Sequence, residues 1–209
     1  MKISLKSQNL PLITFYVVFN IAIFLTLYEK GSIDINSIKS YLVEFQIKDG
    51  VFFGLMNLVV ILIGGLFSNK VKEIIVFWKL SDCILPGCEA FSKFIYEDNR
   101  INIENIKNKI EKFPSIPKEQ NSKWYELFKE IDDIAINKTN KEWLLCRELS
   151  VISVGLLLLS IFVIIEHKTI GCYYLLFVIG EYLAFRFCAK HMAERLVVNT
   201  LAFISASKK

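Results

Sequence analysis

The stretch LSVISVGLLLLSIFVIIEHKTIGCYYLLFVIGEYLAFRF, residues 149–187, decides the fold class. It contains two apolar blocks, Leu149 to Ile165 and Gly171 to Phe187, which only the short segment Glu166 to Ile170 separates. Each block is about as long as a helix must be to cross the hydrocarbon core of a bilayer. Because so short a connection joins antiparallel neighbours, the sequence predicts two membrane-spanning helices that form a hairpin.

Two further apolar blocks lie upstream of this hairpin. Leu10 to Tyr28 carries no charged residue, and Pro11 suits the first turn of a helix, where its missing N–H has no partner to lose. A secretory signal peptide is the alternative, but the run is long and no small-residue cleavage pattern follows, which favours a retained span. The other block, Val51 to Phe67, contains glycines that let membrane helices approach closely. The sequence therefore predicts an all-α integral membrane protein with four transmembrane helices.

The composition agrees with a membrane protein and offers no catalytic motif. Of the 209 residues 54% are apolar, against roughly 45–50% in soluble domains. The five cysteines are odd in number and irregularly spaced, which argues against a disulfide framework. We expect them to be buried thiols, with a Cys83–Cys88 redox pair as the alternative. With two histidines and no nucleotide-binding or hydrolase motif, we expect no metal, no cofactor and no enzyme activity.

The lysines and arginines near the span ends indicate an orientation. Placing the N-terminus in the cytoplasm puts more of these cations inside than outside, as the positive-inside rule requires. Both termini and the segment between the second and third spans are then cytoplasmic. The inside set is Lys2, Lys6, Lys70, Lys72, Arg147, Lys190, Arg195, Lys208 and Lys209, and the outside set is Lys30, Lys39, Lys48 and Lys168.

Four segments follow from this topology. Residues 1–68 hold the first two spans and a short extracytoplasmic loop, and residues 69–148 form a cytoplasmic helical domain. Residues 149–190 form the transmembrane hairpin, and residues 191–209 form a helical cytoplasmic tail. Apolar residues with helical spacing in the loop predict an amphipathic helix on the membrane surface, with an ordinary connecting loop as the alternative. These residues are Ile38, Tyr41, Leu42 and Phe45.

The cytoplasmic domain is poor in glycine and proline, so it should be mostly helical. We expect the second span to continue as a helix over Lys70 to Leu80, and further helices over Glu89 to Tyr96 and Asn102 to Lys112. After a break at Pro114 to Pro117, a long helix should run from Glu119 into the third span. The domain carries 14 basic and 14 acidic residues, a balance that argues against direct nucleic-acid binding.

Aromatic and turn-forming residues concentrate in three patches of this domain, at 77–91, 99–101 and 120–125. Such density is typical of a fixed interaction surface for a soluble partner or another subunit. The alternative is the core of a small domain. The candidate surface residues are Trp78, Phe91, Arg100, Gln120, Asn121, Trp124 and Tyr125.

A family resemblance rests on FWKLSDCILPGCEAF, DNRINI, PSIPKEQNSKWYELFK and LLCRELS, in this order over residues 77–150. As a set they resemble a family of small four-span bacterial membrane proteins that accompany mobile or phage-defence genes. Within it, the membrane subunits of Kiwa phage-defence systems are the nearest resemblance. This resemblance implies a homo-oligomer of the bacterial inner membrane that works with a cytoplasmic protein partner, and it implies no chemistry for any residue.

Glu181 is the most unusual residue of the predicted spans. It lies about ten residues into the fourth span, or roughly 15 Å along the helix axis. An acid at mid-helix costs about 2.5–3.5 kcal/mol on insertion scales, so its side chain should face the bundle interior, a cavity or a partner. Arg186 or a neighbouring subunit is the candidate counter-charge. Glu181 then either lines a pore or clamps helices together.

Two functions follow from these features. The first is a non-enzymatic membrane scaffold or sensor that oligomerises and binds a soluble partner through the cytoplasmic domain. The second is a pore or channel effector that depolarises the membrane, which Glu181 motivates. A carrier is a third class, but neither inverted repeats nor broken spans are evident.

Overall fold

A computed structural model of the chain describes residues 4–47, 50–110 and 112–207, without the side chains of 44–47 and 50–56. All regular structure within these ranges is helical, as predicted. Two short 3-10 helices cover Pro86–Glu89 and Phe94–Tyr96. The α-helices are α1 (Leu5–Lys30), α2 (Ile35–Ile47), α3 (Gly50–Leu66), α4 (Asn69–Phe77), α5 (Ile103–Lys109), α6 (Pro117–Lys129), α7 (Ile134–Glu166) and α8 (Lys168–Ala206).

Three helices, α1, α7 and α8, are long and apolar enough to cross a membrane by length and composition. They contain the first, third and fourth predicted spans. The second predicted span coincides with α3, which has 17 residues, close to the lower limit for a transmembrane helix. Its part Asn57–Leu66 is apolar. Crossing by α3 therefore stays a prediction.

The chain divides into two compact units. The membrane unit comprises Met1–Lys72 and Leu144–Arg186, and the insert unit comprises Glu73–Trp143 and Phe187–Lys209. Because α7 and α8 are uninterrupted helices, each contributes residues to both units. Most of the predicted cytoplasmic domain and the predicted tail fall in the insert unit.

Apolar side chains from α1, α3, α7 and α8 form the core of the membrane unit. Large apolar residues such as Leu158, Phe162 and Leu176 are exposed on other helix faces. This distribution is typical of helices that contact lipid rather than water. The buried cluster consists of Ile13, Tyr16, Val17, Leu27, Val60, Leu149, Ile152, Leu156, Val163, Tyr174 and Val178.

Caps define both ends of α1. The Ser4 side chain accepts a hydrogen bond from the Ser7 amide at 3.1 Å. Gly31 ends the helix at φ +62°, a left-handed conformation that favours glycine. At this end His167 Nε2 donates a hydrogen bond to the Tyr28 carbonyl at 2.7 Å. The turn between α7 and α8 therefore lies against the end of α1.

Two predicted helix continuations at the borders of the insert are wrong, because side chains cap new helices there. The predicted extension of the second span is interrupted: α3 ends at Leu66, and the Ser68 hydroxyl accepts a hydrogen bond from the Val71 amide at the start of α4. The long helix predicted from Glu119 ends with α6 at Lys129. Asp133 then caps α7, and its carboxylate accepts hydrogen bonds from the first amides of that helix at 2.9 and 3.0 Å.

The predicted helix over Glu89 to Tyr96 is also wrong, since the chain forms 3-10 turns there. The buried Gln120 side chain accepts hydrogen bonds from the Phe91 and Ser92 amides at 3.0 and 3.1 Å. These amides are thereby withdrawn from an α-helical pattern. The helix predicted over Asn102 to Lys112 exists as the shorter α5, which Asn102 caps.

The remaining helix predictions hold with small changes. The helix that the apolar spacing predicts in the first loop is present as α2. Its position on a membrane surface stays a prediction, and the Phe45 side chain lies outside the described residues. The predicted tail is helical and forms the end of α8. Its apolar surface is largely covered, because Leu196, Val197 and Leu201 are buried.

One disulfide departs from the expectation of buried thiols. Cys83 and Cys88 are joined, with their Cα atoms 6.0 Å apart, within the usual range for such bonds. The alternative given for these two cysteines, a Cys83–Cys88 pair, is therefore the one that the structure contains. Cys146, Cys172 and Cys188 are present as thiols.

The hairpin turn supplies a test of this packing. A Cβ added at Gly171 would lie 2.7 Å from Ile164 Cγ1 and closer still to the Ile164 backbone. We expect Gly171→Ala to destabilise the membrane unit by about 1–3 kcal/mol, because the helix ends must separate. Unfolding by SDS titration in mixed micelles measures this change.

Gly180→Ala is the matched control, because it makes the same change in the same helix where nothing lies within 4 Å of an added Cβ. It should be neutral or stabilising by up to about 1 kcal/mol, the difference in helix propensity. Equal stability of the two variants would contradict the described turn.

Candidate functional site

Glu181 belongs to a polar cluster inside the membrane unit. The Tyr16 hydroxyl of α1 donates a hydrogen bond to Glu181 Oε2 at 2.9 Å. The same hydroxyl lies 2.8 Å from the Ser153 hydroxyl of α7. Side chains of three helices therefore meet at the Tyr16 hydroxyl.

Further polar contacts extend this cluster along α1. Thr14 donates a hydrogen bond to the Asn57 side-chain carbonyl of α3. The Asn20 amide also donates to the Tyr16 carbonyl at 3.2 Å, and Thr14 and Asn20 are fully buried. Polar residues of α1 thus contact each of the other three core helices. In a bilayer such interhelical hydrogen bonds contribute roughly 0.6–1.7 kcal/mol each.

The arrangement around Glu181 is a helix clamp, by which we mean a set of side-chain hydrogen bonds that holds α1, α7 and α8 together. The Glu181 carboxylate accepts a hydrogen bond from the Tyr16 hydroxyl, a neutral donor that is itself packed in the core. Arg186, the counter-charge predicted from the sequence, is buried at 7% exposure. Its pairing with Glu181 stays a prediction.

A buried charge cluster lies near the middle of α7, around Glu148. Lys72 Nζ forms an ion pair with Glu148 Oε2 at 2.7 Å, and both side chains are at most 5% exposed. Arg147 Nη2 contacts the second carboxylate oxygen at 2.9 Å. Burial lowers the pKa of Lys72, and the adjacent Glu148 carboxylate opposes that effect. Removing Glu148 would leave the buried Lys72 ammonium without this carboxylate, an uncompensated buried charge.

The seven candidate surface residues divide between core and surface of the insert unit. Phe91, Gln120 and Trp124 are buried, and Asn121 is half-buried, so these four act as core. Trp78 and Tyr125 are exposed at 60% and 47%. For four of the seven, the alternative of a small-domain core therefore describes the structure better.

Arg100, the seventh candidate, is exposed but structurally engaged. Its guanidinium contacts the Asp98 carboxylate through Nε at 3.0 Å and Nη2 at 2.7 Å, and donates to Asn199 of α8 at 3.0 Å. The Arg100 contacts hold the pKa of Asp98 below its usual range. Arg100 thus joins the Asp98 turn to the tail helix.

Sequence reasoning missed the partners of the charged residues. Tyr16 and Ser153 lie in apolar runs where a hydroxyl gives no signal of its partner, and Lys72 and Glu148 are far apart in the chain. Arg147 and Glu148, at the border of the third predicted span, belong to this buried cluster with Lys72. Among the described residues, no group of three His, Cys, Asp or Glu side chains is placed to hold a metal ion.

Comparisons with known proteins add no relative: no family model, curated protein or solved structure matches the chain.

The Tyr16–Glu181 contact is testable by a double-mutant cycle. Tyr16→Phe and Glu181→Gln should each lower the unfolding free energy, and the pair should show a coupling of about 0.6–1.7 kcal/mol, as for other interhelical hydrogen bonds. SDS-induced unfolding measures all four proteins. Tyr173→Phe, which alters a tyrosine exposed at 63% on α8, should show no coupling to Glu181→Gln. Strict additivity of Tyr16→Phe with Glu181→Gln would refute the clamp.

Proposed function

We propose that the protein is a non-enzymatic, oligomeric membrane scaffold or sensor that binds a cytoplasmic protein through its insert unit. The observation that carries the proposal is a set of exposed aromatic side chains on this unit: Trp78, Tyr96 and Tyr125 at 60%, 66% and 47% exposure. Tryptophan and tyrosine are the residue types that most often dominate the binding energy of protein interfaces.

Trp78 is held in a conformation that favours an interaction role over a purely structural one. Its φ of +55° is left-handed, which is rare for a bulky residue and costs on the order of 1–3 kcal/mol. Its amide donates to the Ile74 carbonyl at 2.8 Å at the end of α4. A glycine would fulfil this helix-ending role without strain, whereas the chain places here an indole that is exposed at 60%.

The resemblance over residues 77–150 gives the proposal its biological setting. It points to an antiphage defence system of the bacterial inner membrane, with four spans and both termini in the cytoplasm. The balanced charge of the cytoplasmic domain favours a protein partner over nucleic acid. Under this proposal the membrane unit anchors and assembles the complex, while the insert unit recruits the partner.

A pore-forming effector is the second candidate, and Glu181 is the observation that favours it. Liposome flux with the wild-type protein and with Glu181→Gln separates the two proposals. Flux that the substitution changes would support a pore. The hydrogen bond from the Tyr16 hydroxyl instead favours a structural acid, for which neither form conducts.

Trp78→Gly tests the scaffold proposal without destabilising the fold. The glycine should relieve backbone strain, so the melting temperature should not fall, while removal of the indole should abolish co-purification of a stoichiometric cytoplasmic protein from native membranes. Quantitative mass spectrometry of the purified complexes measures partner recovery.

Tyr173→Ala is the control, since it removes an aromatic side chain of similar exposure, 63%, from the membrane unit. It should leave partner recovery unchanged. A wild-type protein that purifies as a clean homo-oligomer without a partner would contradict the proposal.

A further inference from the structure

A cleft of about 280 Å³ opens in the membrane unit between α1, α3 and α7. Its walls are mainly apolar and include Leu10, Ile13, Val60, Ile61 and Ile152. Its polar lining is confined to four residues: Ser4, Lys6, Ser7 and Glu148. The cleft thus combines an apolar trough with a small polar region.

The polar region contains one cation, Lys6, and one carboxylate, Glu148. A Cβ added at Gly64 would lie 3.6 Å from Glu148 Oε2 and 3.9 Å from Lys6 Nζ, which places both groups at the same point of the cleft. Glu148 is already engaged by Lys72 at 2.7 Å. Among the described residues, no carboxylate lies within 4 Å of the Lys6 ammonium. A cation thus lines the cleft without an ion-pair partner.

Two serine hydroxyls lie beside this ammonium. Ser4 caps α1, and its hydroxyl is 2.8 Å from that of Ser7 in the first turn. The N-terminus of α1 adds the positive end of a helix dipole. The polar region therefore offers an ammonium and two hydroxyls to an anion.

The position of the polar region along the spans indicates the kind of anion. Lys6 precedes the apolar block that begins at Leu10, Glu148 precedes the block that begins at Leu149, and Gly64 lies near the end of the block that closes at Phe67. All three positions therefore mark one membrane–water boundary. At such a boundary an anion is a lipid headgroup, and the apolar trough below it accommodates acyl chain.

We propose that this cleft binds an anionic glycerophospholipid, with its phosphate on Lys6 and the serine hydroxyls and an acyl chain along Leu10, Val60 and Ile61. The proposal commits to a lipid rather than a free phosphate ion, because most of the cleft wall is apolar. It is independent of the partner-binding proposal, since the cleft lies wholly in the membrane unit.

Native mass spectrometry of the detergent-solubilised protein tests the site. Phosphatidylglycerol should bind more tightly than phosphatidylcholine with the same acyl chains. Lys6→Gln should weaken phosphatidylglycerol binding about fivefold, the equivalent of about 1 kcal/mol for one cation at an anionic headgroup. Lys6→Arg, which keeps the charge, should restore it. Lys168→Gln, which removes an exposed cation from the first turn of α8, should have no effect.

A steric variant keeps the test decisive if the charge variant does not fold. A Cβ at Gly64 meets its neighbours at ordinary contact distances, so Gly64→Leu should fold and project its side chain into the polar region. It should reduce phosphatidylglycerol binding at unchanged charge. Melting curves confirm that each variant is folded.

Three results would overturn the proposal. Equal binding of the two lipids would remove the role of the charge. Unchanged lipid binding by Lys6→Gln and Gly64→Leu would place the lipid elsewhere. Displacement of the lipid by excess inorganic phosphate would identify a free-anion site in place of a lipid site.

Discussion

The Tyr16 hydroxyl joins α1 to both helices of the hairpin, through Ser153 on α7 and Glu181 on α8. This contact matters because lipid tails are as apolar as leucine side chains, so burial of apolar surface alone does not hold helices together in a bilayer. Hydrogen bonds and close packing must supply the association. The hydrogen bond also offsets the free-energy cost of placing Glu181 within a membrane span. The carboxylate that opposes insertion is the group that accepts the hydrogen bond from α1.

The sequence was sufficient for features that depend on composition over many residues. Apolar length identified the helices α1, α7 and α8, and the cost of a buried acid singled out Glu181. The partners of Glu181 were not predictable, because Tyr16 lies in an apolar run and its pairing depends on how the helices rotate. The predicted helix ends were wrong for a local reason. Ser68 and Asp133 cap new helices, and in a sequence-based prediction a single capping side chain has little weight against a long helical pattern.

The insert unit shows a different limit of sequence reasoning. A high density of aromatic residues identified segments that contain both core and exposed aromatic side chains. Density alone does not separate core from surface, since the same residue types serve both purposes. Gln120 is buried because it accepts hydrogen bonds from two backbone amides, and Trp124 is buried beside it on α6. Trp78 is exposed and strained, and only the structure shows this difference. The proposed division of labour follows: the membrane unit is held by a polar clamp, and the insert unit offers aromatic side chains to a partner.

Cysteine accessibility in spheroplasts tests most directly whether the chain crosses the membrane four times. In a background without native cysteines, Ser32, Ser122, Thr169 and Ser207 are exposed positions for single substitutions. With four spans and cytoplasmic termini, we expect Ser32→Cys and Thr169→Cys to react with an impermeant maleimide in intact spheroplasts. Ser122→Cys and Ser207→Cys should react only after lysis. Reaction of Ser32→Cys and Ser122→Cys from the same side would contradict it, because α3 would then not cross.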